Sequence, residues 1–468
     1  MAYDLAIIGA GPGGYVAAIR AAQLGKKVAL IERDRVGGVC LNRGCIPTKA
    51  MISSAHALHA VRSAADFGID LPAGEATVDM AKIAARRDRI VAQLRGGVAA
   101  LLKGNGVELI SGTASFVSKG ILDVNGNEIE AGKILIATGS SWMELPDLKI
   151  DGRRIVTTDE ALGWTSVPPR LLIVGGGVIG CEFACMMQTF GSKVTIVEAT
   201  PSILPFVEKA ISRLLDRSMK GRGIEILTST MVKGAVVQGN EVKISLSSGE
   251  ERLADCVLVG VGRRPFTEGL ELERAGVLLT ERGFIKVDEN FQTSAEGVFA
   301  IGDVIGAPML AHAASAEGIA AVERMFSGLG TRDSVLGYNP LYCPSPIFTM
   351  PEIACVGQTS EGLEQKGIKF KTGRFAYAAN GKALCDGDTE GQAIVHSDAD
   401  GKILGVHVTG HDATLLMAEA VLAMRKGLAA KDFASSIHSH PTLSEVVAEA
   451  AEDVDGRAIH KAPARRKE

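Results

Sequence analysis

The N-terminal sequence reads Tyr3-Asp4-Leu5-Ala6-Ile7-Ile8-Gly9-Ala10-Gly11-Pro12-Gly13-Gly14, an apolar run that ends in a cluster of glycines. An alanine-rich stretch follows, and then a second apolar run ends in the acid Glu32. This order predicts a strand, a tight turn, a helix and a second strand. In such a unit Gly9 allows the turn, Gly11 lets the backbone approach a pyrophosphate, and Gly14 permits close helix packing. Because Glu32 is then placed to bind a ribose hydroxyl, a dinucleotide site is favoured over a purely structural turn.

The same pattern occurs a second time in the chain. An apolar run from Arg170 leads to Gly175-Gly176-Gly177-Val178-Ile179-Gly180, and another apolar run ends at Glu198. Glu32 lies 23 positions after Gly9, and Glu198 lies 23 positions after Gly175. Gly175, Gly177, Gly180 and Glu198 are therefore assigned the roles of their counterparts in the first unit. Two such units in one chain predict two dinucleotides that exchange electrons.

Length and composition limit the class of protein. A chain of 468 residues is expected to form about three domains, at roughly 100 to 200 residues each. The formal net charge is -4 with no long basic block outside residues 461–467, so nucleic acid is not an expected partner. No apolar run approaches the roughly 18 residues that span a bilayer, and no leader pattern is visible. A cytoplasmic protein without a membrane partner is expected.

Hydrophobic patterning divides the rest of the chain. Residues 78–103 have helical periodicity, and residues 107–136 break into short strands with predicted turns at Asn125-Gly126 and Ala131-Gly132. Another buried strand ends at Gly302-Asp303, and strands and helices alternate beyond residue 337. We predict domain boundaries near residues 142, 265 and 337, which divide the chain into segments 1–142, 143–265, 266–337 and 338–468.

A pair of cysteines follows the first unit, in the sequence Gly37-Gly38-Val39-Cys40-Leu41-Asn42-Arg43-Gly44-Cys45-Ile46-Pro47-Thr48-Lys49. Cysteines separated by four residues can close a small disulfide loop, here at the N-terminus of a helix predicted to start at Pro47. A helix N-terminus stabilises a thiolate and makes it a better nucleophile. Zinc binding is the alternative, but no second cysteine pair at ligand spacing accompanies this one.

This stretch resembles the redox motif of flavoprotein disulfide reductases, and is most similar to that of dihydrolipoamide dehydrogenases. The resemblance extends along the chain in the order FAD motif, cysteine pair, NAD motif, Gly-Asp motif and C-terminal His-Pro motif. It implies an α/β fold with two Rossmann-like dinucleotide-binding domains and a C-terminal α+β dimerisation domain. Residues 1–142 would be the FAD-binding domain with the cysteine pair, 143–265 the NAD-binding domain, 266–337 a central domain that completes the FAD site, and 338–468 the interface (dimerisation) domain. It also implies FAD and NAD as cofactors, and oxidation of protein-bound dihydrolipoamide through an active-site disulfide.

The resemblance also implies roles for individual residues. Cys45 would be the thiol next to the flavin, and Cys40 the thiol that exchanges with substrate. His440 would accept the substrate proton and Glu445 would orient its imidazole. Family members deliver this histidine from the partner subunit, which implies a homodimer. The other expected partner is a lipoylated carrier of a 2-oxo acid dehydrogenase, glycine cleavage or related system.

Further residues are assigned to the cofactors by the same resemblance. Asp303 would hold the ribityl chain of FAD, and Lys49 would pair with Glu182 near the flavin. NAD is expected over NADP, because Glu198 repels a 2′-phosphate and the next three residues supply no arginine. No residue is assigned to a metal. The remaining cofactor residues are Thr138, Gly139, Gly262, Met309, Ala311 and His312.

Some readings stay open and some positions depart from the family pattern. Another disulfide reductase, or a flavin-binding subunit without turnover, are the alternative functions. His438 and His440 alone would also fit a metal site or a helix start.

Arg43 stands where the family more often has Val, and is expected to favour the Cys40 thiolate or to alter which substrate docks. The six other cysteines are predicted to be small buried residues.

Overall fold

The structure is a computed structural model that describes residues 2–71, 76–327 and 338–462. The predicted boundary at residue 337 and residues 463–467 of the basic stretch lie outside the described residues. Within the described part, no helix is both long and apolar enough to cross a membrane. The elements up to residue 136 are β1 (Tyr3–Ile8), α1 (Pro12–Gln23), β2 (Val28–Glu32), α2 (Gly38–Arg43), α3 (Cys45–Arg62), α4 (Met80–Gly104), β3 (Glu108–Ser111), β4 (Ala114–Ser118), β5 (Ile121–Val124) and β6 (Asn127–Ile136).

The first sheet is built around β1, whose residues Leu5 and Ile7 are fully buried. Strand β1 pairs in parallel with β2 and β6, and β2 pairs in parallel with β3. Strands β4, β5 and β6 form an antiparallel meander. The turn predicted at Ala131-Gly132 is wrong, because both residues lie inside β6. Ala131 is opposite Tyr3 of β1, and this pairing keeps the backbone extended.

The second unit repeats this architecture. Its elements are β7 (Ser140–Trp142), β8 (Ile155–Val156), α5 (Thr158–Ala161), β9 (Arg170–Val174), α6 (Val178–Thr189), β10 (Lys193–Val197), α7 (Lys209–Gly221), β11 (Glu225–Leu227), β12 (Val232–Gln238), β13 (Glu241–Leu246), β14 (Glu251–Ala254), β15 (Cys256–Val259) and β16 (Arg263–Pro265). The parallel strand order is β11-β10-β9-β15-β8, and β12-β13-β14 form the meander. The order of β11, β10, β9 and β15 is that of β3, β2, β1 and β6, which confirms two Rossmann-like units.

The chain then returns to the first sheet before it forms a third. The elements are α8 (Leu272–Ala275), β17 (Val298–Ala300), α9 (Ala311–Ser327), β18 (Ser345–Ile347), β19 (Glu352–Gly357), α10 (Ser360–Gln365), β20 (Lys371–Ala376), α11 (Gly381–Asp386), β21 (Gln392–Ser397), β22 (Ile403–Gly410), α12 (Ala413–Lys426), α13 (Ala430–Ala434) and α14 (Ser444–Asp453). Strand β17 pairs in parallel with β6, and α9 packs on α1. The C-terminal sheet is antiparallel in the order β18-β19-β22-β21-β20.

One hydrophobic core joins the helix that follows the cysteine pair to the other two units. Met51 of α3, Phe183 of α6 and Ile353 of β19 belong to the same buried cluster. Burial of large apolar side chains contributes roughly 1.5–3 kcal/mol each. The start of α3 is therefore held against both neighbouring units. The division into domains near residues 142 and 265 stays a prediction.

Candidate active site

The first glycine turn is tight at its ends and open at its centre. Gly9 has a φ of +100°, and a methyl group there would lie 2.5 Å from the Ala137 carbonyl oxygen. A methyl at Gly14 would lie 1.8 Å from the oxygen of Gly9, so helix and turn touch. A methyl at Gly11 would find its nearest atom 4.0 Å away. The opening at Gly11 fits a pyrophosphate, as the spacing predicts.

The second turn has the same geometry. Gly175 has a φ of +105°, and a methyl at Gly180 would lie 2.0 Å from the oxygen of Gly175. A methyl at Gly177 would meet no described atom within 4 Å. The acids match as well: Glu32 accepts a hydrogen bond of 2.7 Å from the amide of Ala10, and Glu198 accepts one of 2.6 Å from the amide of Gly176.

The two cysteines of the predicted redox pair lie on either side of the junction between α2 and α3. Both thiols are free, Cys40 is half-buried, and Cys45 is exposed. A hydrogen bond from Cys40 is the largest cause that lowers the pKa of Cys45 to about 7, and the charge of Lys49 helps, while burial opposes them. The pKa of Cys40 is raised, chiefly by the same hydrogen bond. Helix α3 begins at Cys45 rather than at the predicted Pro47, so the thiolate lies in its first turn, where the helix dipole favours it.

Lys49 forms the ion pair that the resemblance implies. Its ammonium lies 2.9 and 2.8 Å from the two carboxylate oxygens of Glu182, which is 3% exposed. Glu182 also accepts a hydrogen bond of 2.9 Å from the amide of Phe348. The Lys49 ammonium lies 4.6 Å from the centre of the Phe348 ring. Contacts from all three units therefore fix this charge near Cys45.

We expect the Lys49→Met substitution to raise the pKa of the Cys45 thiol. The ammonium favours the thiolate, and removal of an opposite charge close to an ionised group shifts its pKa by roughly one unit or more. The pH dependence of Cys45 alkylation by iodoacetamide, in the reduced protein, measures the shift. Lys49→Arg keeps the positive charge and is the matched control. An alkylation profile in Lys49→Met that overlays the wild type would contradict this role.

The predicted Asp303 lies in a network that the sequence analysis only partly identified. The hydroxyl of Ser140 donates a hydrogen bond to the Asp303 carboxylate. The guanidinium of Arg263 donates to both the hydroxyl and the carbonyl oxygen of Ser140, each at 2.7 Å. Thr138 donates to the carbonyl of Phe266 at 2.6 Å. The sequence analysis did not identify Arg263. Its position directly after the predicted Gly262, soon after a buried strand, is the sequence signal that could have indicated it.

The residues predicted to line the flavin lie at the start of α9. The hydroxyl of Ser315, in the first turns of this helix, lies 3.3 Å from the carbonyl oxygen of Pro12 in α1. The ring of His312 lies 2.7 Å from the Pro344 carbonyl oxygen, which comes from the C-terminal unit. Met309 and Ala311 precede His312 at this helix start. The segment is thus held between the first glycine turn and the C-terminal sheet.

Arg43 contacts carboxylates. Its guanidinium lies 3.1 Å from Asp34 and 3.7 Å from Asp159. Burial raises the pKa of the Asp159 carboxyl, and one of its oxygens has no hydrogen-bond partner among the described residues. The expectation that Arg43 favours the Cys40 thiolate or alters which substrate docks stays a prediction. The sequence analysis identified neither Asp34 nor Asp159.

The C-terminal histidine and glutamate form a direct pair. Nδ1 of His440 lies 2.9 Å from Glu445, whose other oxygen accepts a hydrogen bond of 2.9 Å from the Thr442 amide. Partial burial raises the pKa of the Glu445 carboxyl, but these two hydrogen bonds outweigh burial and hold the pKa below its ordinary range. The His440 side chain is 77% exposed, so its Nε2 faces outward. His438 differs, because its ring contacts the Ser436 carbonyl and Glu419.

The other cysteines only partly follow the prediction. Cys181 and Cys185 are buried on α6, as expected. The prediction is wrong for the exposed Cys385, which lies near the end of the short helix α11, and only partly right for the three half-buried cysteines. Those three are Cys256, Cys343 and Cys355.

Comparison with known proteins agrees with this geometry. The model of the pyridine nucleotide-disulphide oxidoreductase family matches residues 3–318, and that of its dimerisation domain matches residues 343–451. Dihydrolipoyl dehydrogenase of Thermus scotoductus is 43% identical over 98% of both chains, and that of Geobacillus stearothermophilus is 42% identical over 97% of this chain and 96% of its own.

Solved structures of two proteins superpose on nearly the whole of this chain. LpdA from Mycobacterium tuberculosis superposes with a TM-score of 0.89 at 27% identity, over 96% of this chain and 99% of its own. The HOCl-induced flavoprotein disulfide reductase RclA from Escherichia coli gives 0.84 at 28% identity, over 95% and 98%. The chain belongs to the pyridine nucleotide-disulphide oxidoreductase family.

Proposed function

We propose that this protein is a dihydrolipoyl dehydrogenase, which oxidises protein-bound dihydrolipoamide and reduces NAD+ to NADH. The observation that carries the proposal is the placement of two free cysteines, Cys40 on α2 and Cys45 at the first residue of α3, with the Lys49–Glu182 ion pair in the next turn of that helix. The same chain contains two glycine turns of matching geometry. Relatives with the same name are 40–43% identical to it over nearly the whole chain.

The residues present fit two dinucleotides. The opening at Gly11 leaves room for the pyrophosphate of FAD, and we assign Glu32 and Asp303 to its ribose and ribityl groups. The opening at Gly177 leaves room for the pyrophosphate of NAD, and we assign Glu198 to its ribose. When bound, FAD would supply the two-electron redox chemistry that links the reduced cysteines to NAD+. The protein holds and orients these groups.

Thiol exchange would use Cys40 and Cys45 in different roles. A substrate thiolate attacks Cys40 of the Cys40–Cys45 disulfide, which forms a mixed disulfide and releases Cys45 as a thiolate. The lowered pKa of Cys45 makes it the better leaving group. The second substrate thiolate then attacks its own mixed-disulfide sulfur, closes the lipoyl disulfide and releases Cys40. His440 takes up the proton of the first substrate thiol, and the Glu445 carboxylate stabilises the resulting imidazolium. The proton of the second substrate thiol goes to Cys40, which is released as a thiol.

The partner subunit is proposed to complete each site. The chain contains the dimerisation domain of its family, and His440 lies on that domain with its ring exposed. We infer that His440 of the partner subunit serves the cysteine pair of this one. The substrate would be a lipoyl group carried by another protein. A cytoplasmic location stays part of the proposal.

The test is NADH formation by the purified, FAD-loaded protein from dihydrolipoamide and NAD+. We expect turnover with NAD+ to exceed turnover with NADP+ by more than about tenfold, or 1.4 kcal/mol. The reason is that the Glu198 side chain, which we assign to the ribose of NAD, would repel a 2′-phosphate. Glu198→Gln should narrow this preference, whereas Glu225→Gln, on the adjacent strand β11, should not. A preference for NADP+, or no turnover with either nucleotide, would contradict the proposal.

A further inference from the structure

Three buried polar side chains meet where the second unit contacts the C-terminal sheet. Glu208 directly precedes α7, His396 lies on β21 and His407 on β22. Their exposed fractions are 1%, 0% and 0%. One oxygen or ring nitrogen of each residue lies within 4.8 Å of those of the other two. The proposed reaction uses none of the three.

His407 has a ring nitrogen without a partner. Its Nε2 lies 2.9 Å from the carbonyl oxygen of Gln358, to which it can only donate. Nδ1 of the neutral ring is then a bare lone pair, and it is buried with no hydrogen-bond partner among the described residues. An unsatisfied buried polar atom costs about 1–3 kcal/mol. A hydrogen-bond donor or a metal cation would satisfy this lone pair.

Hydrogen bonds also fix the side chains of His396 and Glu208. Nδ1 of His396 lies 3.0 Å from the Thr372 hydroxyl, and its Nε2 lies 3.2 Å from Glu208. Glu208 also accepts hydrogen bonds of 2.8 Å from the amide and the hydroxyl of Ser360. Histidines that bind metals usually have the second ring nitrogen fixed by an outer partner. Both imidazoles here have such a partner.

Charge at the cluster also favours a cation. Burial raises the pKa of Glu208, but hydrogen bonds from His396 and Ser360 outweigh it and bring the value to about 2. Burial lowers the pKa of His407 to about 4. The cluster thus offers one carboxylate and two imidazoles, side chains that bind transition metals, within 4.8 Å of one another. A buried charge is unfavourable unless an opposite charge or a metal compensates it.

We propose that Glu208, His396 and His407 bind one divalent transition-metal cation, for which Zn2+ is the best match. Two imidazoles and one carboxylate form a zinc ligand set that leaves a fourth position for water. His407 also lines a cleft of about 450 Å³, together with Cys355 and Gln358, and water in this cleft supplies the fourth ligand. Because Glu208 and the histidines come from different units, the ion ties the base of α7 to the C-terminal sheet.

The first experiment titrates Zn2+ alone into the FAD-loaded protein, followed by calorimetry. The protein is first treated with chelator and kept oxidised, because the Cys40–Cys45 disulfide prevents those sulfurs from binding metal. We expect one Zn2+ per chain. His407→Gln should weaken binding more than about 100-fold, since even outer partners of metal ligands contribute about 10–100-fold. The matched control is His460→Gln, which alters an exposed histidine beside Glu449 and should leave the affinity unchanged.

X-ray absorption at the zinc edge identifies the ligand atoms of Zn2+ in the wild-type protein. This measurement tests the proposal even if the His407→Gln protein does not fold. Scattering from two imidazoles with oxygen in the remaining positions is expected. A sulfur-dominated spectrum would place the ion at cysteines and overturn the proposal. Absence of Zn2+ uptake by the oxidised wild type, or equal affinity in folded His407→Gln, would also overturn it. None of these measurements depends on dihydrolipoamide turnover, so they are independent of the proposed function.

Discussion

The Cys45→Ser protein is expected to keep its FAD and to lose dihydrolipoamide-dependent NADH formation by a factor on the order of 10³ or more. Serine at position 45 cannot form a disulfide with Cys40. The substrate thiolate therefore has no disulfide to attack, and no mixed disulfide forms. Steady-state absorbance of NADH, with the flavin spectrum recorded on the same sample, measures both properties.

Two controls separate lost chemistry from lost folding in this variant. Cys385→Ser alters an exposed cysteine outside the site and should leave turnover unchanged. Electron transfer from NADH to an artificial acceptor needs the bound cofactors but no thiol, so Cys45→Ser should retain it. Dihydrolipoamide turnover near the wild-type rate in Cys45→Ser would refute the role of this pair.

The second large effect is expected for His440→Gln. Loss of a general base reduces the rate by roughly 10²–10⁴. In the wild type, His440 contacts Glu445 directly, and the ionised carboxylate stabilises a protonated imidazole. Glutamine keeps a polar side chain at position 440, but its amide cannot take up the proton of the substrate thiol. The loss should be largest near neutral pH and smaller at alkaline pH, where substrate thiols ionise without a base. The pH profile of kcat/KM for dihydrolipoamide measures this trend.

Mixed dimers test whether His440 acts across the subunit interface. We expect a heterodimer of one Cys45→Ser chain and one His440→Gln chain, made by co-expression with two affinity tags, to recover about half of the wild-type rate. One of its two sites then combines an intact cysteine pair with an intact histidine from the other chain. If each chain used its own histidine, neither site would be intact. An inactive heterodimer with bound FAD would therefore disprove the shared site.

Much of the fold could be predicted because its signals are local. A glycine turn needs positive φ at Gly9 and Gly175, and leaves no room for a side chain at Gly14 and Gly180. These are requirements of neighbouring backbone atoms, so they appear in the sequence at fixed spacing. The long helices were located for the same reason, since their periodicity reflects one buried face. The predicted turn at residues 131–132 failed because pairing with a distant strand decided that segment.

The sequence by itself determined the two dinucleotide units, the redox cysteine pair and the histidine-glutamate pair, because each lies within a short stretch of chain. Tertiary structure decided the properties of those groups. The charge near Cys45 comes from Lys49, which is held by Glu182, 133 positions away, so sequence spacing did not reveal which thiol would ionise. The cluster of Glu208 and His396 joins residues 188 positions apart. Spacing along a chain records local geometry, whereas burial and charge depend on which distant side chains the fold brings together.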